Sequence, residues 1–246
     1  MAEALGPFWG ALITSLPLST GPAYVFLAMQ HGADFVAASA LSSFAANAAT
    51  GVFLIVYGAL ARTAAPWTGL GVAVLVWLAA STATQLVAWT PATALLLNLA
   101  AYGVGFALPK AVRVVEPQPR PRVQRQWFEL PVRAAAVAAF VSLVLAVSAM
   151  LGPAVTGSAA VFPISLISLF IIVRPRIGGA ATSALAANAL RSMLGFGMML
   201  LAVHLAIRPW GAAAALGVGL LVSASWSVAL LLLRRRPGPP LRGHSN

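Results

Sequence analysis

The residue whose type and setting most invite chemistry is Arg191, a single cation in the apolar run Ala189-Leu190-Arg191-Ser192-Met193. Arginine at the centre of a membrane helix costs about 2.5–3.5 kcal/mol on insertion scales, so such residues usually face a bundle interior or a polar cavity. No aspartate or glutamate lies inside an apolar run: Glu3, Asp34, Glu116 and Glu129 fall in termini or loops. The partners open to Arg191 are therefore carbonyls, hydroxyls, water, a lipid phosphate or an anionic solute. A guanidinium so placed can engage a carboxylate through two parallel hydrogen bonds. The plain alternative is that its long stem snorkels to the cytoplasmic headgroups.

A second set of candidates surrounds two prolines. Leu16-Pro17-Leu18-Ser19 and Phe162-Pro163-Ile164-Ser165 share one apolar-Pro-apolar-Ser pattern. Ser19 and Thr20 precede Gly21-Pro22 in the first, and Ser168 follows in the second. Proline removes a backbone hydrogen bond and crowds the preceding turn. In lipid the freed carbonyl must find another partner or line a cavity. Interrupted helices at matching places in two halves point to a transporter's binding site. The alternative is a pair of simple kinks with Ser or Thr satisfying the backbone locally. The candidate substrate-binding set is Pro17, Ser19, Thr20, Asn47, Pro163, Ser165, Ser168 and Arg191.

The parallel continues beyond the prolines. His31-Gly32 leads into an Ala-rich helix with Leu41 and Gly51, and Gly178-Gly179 into another with Leu185 and Gly195, at the same Leu-to-Gly spacing. Superposing these segments sets Arg191 opposite Asn47. The repeated segments run in opposite directions through the membrane, so helices 1–3 relate to helices 6–8 as an inverted-topology repeat, with helices 4 and 5 as the remaining antiparallel pair.

The elements that must position these residues are membrane helices. The chain is 61% hydrophobic and 8% charged, against about 25% charged residues in soluble domains. Eight apolar stretches of about the length needed to span cover roughly 8–29, 33–61, 68–89, 91–109, 132–151, 157–173, 178–206 and 210–233. The expected fold is all-α, a polytopic bundle of about eight transmembrane helices. Residues 1–110 form one half and 132–234 the other, joined by a Pro/Arg-rich linker over 111–131 and followed by a basic tail over 235–246. The net charge of +11 is spread over the gaps between apolar runs rather than gathered on one face, which excludes nucleic acid as a partner. With the linker in the cytoplasm, thirteen basic residues fall inside, Arg174 and Arg176 among them. Arg208 alone falls outside and Arg191 within a helix. Both termini are then cytoplasmic, as the positive-inside rule requires, and a bacterial inner membrane is the expected location.

Other polar residues have quieter readings. Gln85, Asn98 and Tyr102 read as interhelical glue, and Trp77 and Trp226 as packing. His204 reads as interfacial rather than as part of a proton relay. Without cysteine, and with three histidines on separate segments, no metal site or cofactor is expected. No catalytic motif occurs and no enzyme is expected. The stretch from Pro163 through Arg174, Gly178-Gly179, Arg191 and Gly195 is similar in rhythm to aromatic-acid and fusaric-acid-type exporter domains, over about a quarter of the chain. No residue role is carried over. The function expected is transport or export of a small organic, anionic solute by alternating access. The rival is a non-transporting scaffold or accessory subunit of a larger membrane complex. The expected partners are membrane lipids and the solute, with a homo-oligomer or larger assembly left open.

Overall fold

The computed structural model describes residues 20–107 and 129–234. Pro17, Ser19, residues 111–128 of the linker and the tail over 235–246 lie outside the described residues. Every described element is helical: α1 (Thr20–Gln30), α2 (Ala33–Leu60), α3 (Pro66–Thr84), α4 (Pro91–Ala107), α5 (Glu129–Ala160) and α6 (Ile164–Arg234). Three stretches are long and apolar enough to cross a membrane: Ala33–Leu60, Pro66–Thr84 and Ala134–Leu233.

Proline and threonine set the starts of the shorter helices. Pro66 opens α3 at the first helical turn, where a missing N–H costs nothing and φ is already helical. Before α4, Thr90 Oγ1 accepts the Thr93 N–H at 3.2 Å and Thr93 Oγ1 accepts the Thr90 N–H at 3.0 Å. This reciprocal cap satisfies two backbone donors that the helix leaves free.

The two long elements are not straight rods. Gly152, Gly178 and Gly211 have φ of 72°, 75° and 76° with ψ near 172°, a region open essentially only to glycine. At each the chain folds back on itself. Ser148 meets Thr156 and Phe140 meets Phe162 across Gly152. Arg191 and Gly195 meet Trp226 across Gly211. A further interruption at Val161–Pro163 separates α5 from α6. The single span expected over 157–173 is thus divided in two, because Pro163 has no N–H with which to continue the helix.

Every other described helix packs against α2. Of its most apolar membrane-length window 78% is buried, against 33% for α3, so α2 is the axis of the bundle and α3 lies at its edge. Residues 179–210 run antiparallel to α2 along its whole length. Arg208 meets Asp34, His204 Nδ1 donates to the Ala37 carbonyl, Asn47 reaches Met193, and Gly179 touches the Ala61 carbonyl. The preceding arm, 153–177, runs parallel to α2, with Gly157 beside Ser39, Val161 beside Thr50 and Phe170 beside Tyr57. Small residues permit this closeness: a Cβ on Gly157 or Gly179 would collide with the carbonyl oxygen of Ser39 or Ala61.

Candidate functional site

The interruption at Val161–Pro163 lies in the packed interior, and its backbone is held from outside its own helix. The last turn of α5 tightens, with Val161 N–H donating to Ser158 and Phe162 N–H to Ala159. The next two carbonyls need other donors. Thr20 Oγ1, at the first turn of α1, donates to the Ala160 carbonyl at 3.3 Å, and Thr50 Oγ1 of α2 donates to the Val161 carbonyl at 3.5 Å. Pro163 is buried and its carbonyl starts α6 by accepting the Ile167 N–H at 2.8 Å. Thr20 and the segment around Pro163, paired by the sequence pattern, are thus brought together.

One polar stripe of α2 holds the arm leading into the break. Tyr24 donates to Ser43 Oγ at 2.7 Å, and Ser43 donates on to the Gly157 carbonyl at 2.5 Å. Ser42 donates to the Ala154 carbonyl at 2.7 Å, while Gln85, the C-cap of α3, reaches Ser158 Oγ. Trp77 donates its indole N–H to Thr50 Oγ1 at 3.1 Å and stacks edge-on against Phe162. Sequence reasoning singled out none of Ser42, Ser43 and Thr50. The available signal was their spacing, which keeps Ser43 and Thr50 on one helical face.

Asn47 sits beside this stripe, 1% exposed. Its Nδ2 donates to Asn98 Oδ1 at 3.1 Å and to the Met193 carbonyl at 3.3 Å, and its own carbonyl accepts the Tyr102 hydroxyl at 3.2 Å. Asn98 in turn donates to the Phe44 and Ala94 carbonyls. Asn47 Oδ1 is a buried acceptor with no donor among the described residues. Turning the amide over would set that oxygen against two others, so the neighbours fix its orientation.

Arg191 takes a different direction. Asn47 meets the Met193–Gly197 face of the 179–210 arm, and helical periodicity places residue 191 on the opposite side. Its guanidinium is half-buried and donates to Asn188 Oδ1 at 3.2 Å within its own helix. Ser168 likewise donates to the Ser165 carbonyl at 3.0 Å. The structure gathers Thr20, Asn47 and Pro163 around α2, and leaves the side chains of Arg191 and Ser168 bonded within α6.

Arg174, read from the sequence as a topology-setting loop charge, is 7% exposed. Its guanidinium donates to the carbonyls of Ala61 at 3.0 Å, Ala64 at 2.5 Å and Pro66 at 3.3 Å, and lies 6.0 Å from the Tyr57 ring centroid. It gathers two carbonyls just beyond the end of α2, where the helix dipole also favours a cation, and one at the start of α3. A cavity of about 90 Å³ lined by Tyr57, Trp67, Phe170 and Arg174 lies beside it. No group of three or more potential metal ligands occurs among the described residues.

These contacts predict that Thr50→Val, which keeps the shape and removes the hydroxyl, lowers stability by about 1 kcal/mol, since interhelical hydrogen bonds in membranes average about 0.6 kcal/mol each and two are lost. Thr50→Ser should match the parent. Thermal unfolding of the purified proteins followed by tryptophan fluorescence checks this; equal stability of Thr50→Val and wild type would count against it. Comparison with known protein families, curated proteins and solved structures returns no match to the chain.

Proposed function

We propose that the protein is a membrane transporter moving a small organic anion by alternating access, built as eight helices with an inverted repeat relating the first three to the last three. The observation that carries this reading is the helix interruption at Val161–Pro163, whose carbonyls are held by hydroxyls of α1 and α2. A junction satisfied by other helices can exchange one set of donors for another as those helices rock, which is the two-state element that alternating access requires. Reversals at Gly152, Gly178 and Gly211 support the helix count. The antiparallel crossing of α2 and residues 179–210 supports the repeat: the shift that takes Leu41 to Leu185 maps the Asp34–Arg208 end of this crossing close to its Ala61–Gly179 end.

In this reading Arg191 supplies the anion contact and the polar stripe of α2 positions the moving arm. The test is counterflow in proteoliposomes with a panel of organic carboxylates. Flux should fall in the order wild type, Arg191→Lys, Arg191→Gln, because lysine keeps the charge without the planar fork. The bonding of Arg191 and Ser168 within their own helix favours the scaffold reading instead. Absence of flux, together with stoichiometric co-purification of another membrane protein, would establish that rival.

The topology follows from the thirteen-to-one distribution of basic residues. Reporter fusions at Gly32, Trp67, Gln118, Gly152 and Asn246 should report outside, inside, inside, outside and inside. An external signal from Gln118 would refute it.

A further inference from the structure

Arg191 shares a helical face with Gly195 and Met198, and that face opens on a groove. Met198, Val218, Leu221, Val222, Ser225 and Trp226 line a space of about 480 Å³ between the 179–210 arm and the arm after Gly211. Gly195 lets the Trp226 ring lie directly on the helix, since a Cβ there would overlap the ring. The Trp226 indole N–H donates to the Arg191 carbonyl at 2.9 Å, so the apolar lining reaches the residue that carries the guanidinium. Leu221 is 67% exposed on this side.

The chemistry of the two parts is complementary. Beside the Trp226 end of this open groove stands a half-buried cation that donates to the neutral side-chain amide of Asn188, and the groove itself is lined by apolar side chains and one serine. Arg191 also lies in the middle third of the 179–210 arm, about 20 Å along the helix from Gly178. The arm is about 48 Å long against a hydrocarbon core of about 30 Å, so an arm centred on the bilayer holds the Arg191 backbone roughly 10 Å inside the hydrocarbon, away from the level of a bilayer phospholipid's phosphate. We infer that the groove and Arg191 form a lateral binding site for an organic monocarboxylate with an apolar tail, the tail lying along Met198, Leu221 and Trp226 and the carboxylate paired with the guanidinium. This rests on the reading of Arg191 as an anion contact and narrows the solute to one that reaches the protein from the hydrocarbon phase.

Trp226 makes the site readable. The full-length chain in neutral phosphatidylcholine nanodiscs would be titrated with an ω-brominated undecanoate and, separately, with the matching ω-brominated alcohol, following heavy-atom quenching of tryptophan fluorescence. Wild type should show a saturable component for the carboxylate that is missing in Trp226→Phe. A charge-assisted hydrogen bond is lost with the guanidinium, so Arg191→Gln should weaken the carboxylate at least about tenfold and leave the alcohol unchanged, with Arg191→Lys in between. Ser225→Phe, which fills the groove without touching Arg191, should weaken both probes. Equal affinity for acid and alcohol in wild type, or unchanged acid binding in Arg191→Gln, would overturn the inference. So would a homodimer that Ser225→Phe dissociates while carboxylate quenching persists, since a second copy would then own the groove. Binding is read here without flux. A chain that binds the acid but moves nothing rejects the transporter reading and keeps the site; a chain that moves carboxylates without quenching of Trp226 rejects the site alone.

Discussion

Gly157→Ala and Gly179→Ala are each expected to leave the chain inserted but unable to give a monodisperse, folded species on size-exclusion chromatography. The added methyl at either position meets a backbone carbonyl, that of Ser39 inside α2 in one case and that of Ala61, the C-cap of α2, in the other. A flexible side chain could swing away from such a clash, whereas a backbone carbonyl in a helix or at its cap moves only if the backbone moves. Overpacking ordinarily costs about 1–3 kcal/mol. Here the displaced body is the helix against which every other described element packs, so the cost spreads to the whole bundle. Gly71→Ala and Gly103→Ala serve as controls, since nothing lies within 4 Å of a Cβ at either, and alanine favours the helix by up to about 1 kcal/mol. Folded Gly157→Ala and Gly179→Ala proteins with parental stability would show that the arms are not held at backbone contact.

The second large effect is expected at Arg174. Arg174→Met keeps most of the volume and removes the three hydrogen bonds that the guanidinium gives to the carbonyls of Ala61, Ala64 and Pro66. Hydrogen bonds to charged groups contribute about 1.5–3 kcal/mol each, and three bonds from one group do not add fully. A loss of about 3 kcal/mol or more is expected, which lowers Tm by roughly 6–12 °C on the scale of domains of this size. Arg174→Lys should recover part of it, because an ammonium can reach some of the same carbonyls but not hold them in one plane. A Tm within 2 °C of wild type, roughly what 1 kcal/mol produces, would mean that water or lipid replaces the guanidinium.

Much of the helical layout is legible in local chemistry. The starts at Ala33, Pro66 and Pro91 and the reversals at Gly152, Gly178 and Gly211 follow from proline and glycine punctuation, because those residues restrict the backbone whatever surrounds them. Partners are a different matter. Arg174 looks like a loop charge by position, and only the fold shows that it lies against the carbonyls of the turn joining α2 to α3. Trp77 and Gln85 look like packing and glue, and only the fold reveals that their N–H groups bind Thr50 of α2 and Ser158 of the arm beside it. Asn47 and Arg191 align in the repeat yet point to opposite sides of one helical arm, a direction that sequence offset alone does not encode. His31 and Asp34 read as a short loop pair. Folding separates them: His31 Nε2 donates to Ser148 Oγ at 2.8 Å and Asp34 pairs with Arg208 at 2.8 Å.

The placement of α2 also imposes an order on how the molecule comes into being. Thr50 and its acceptor Val161 are 111 residues apart, and Ser42 and Ala154 are 112 apart. At synthesis rates of roughly 5–20 residues per second, α2 enters the membrane on the order of ten seconds before its acceptors emerge. Through that interval Ser42, Ser43, Asn47 and Thr50 stand in or near lipid with the carbonyls of Ala154, Gly157, Met193 and Val161, which they later bond, still untranslated. The helix most deeply buried at the end is therefore the most exposed at the beginning. Its shelter in the meantime must come from α3 and α4, whose Trp77 and Asn98 arrive early and already bond to two of these positions.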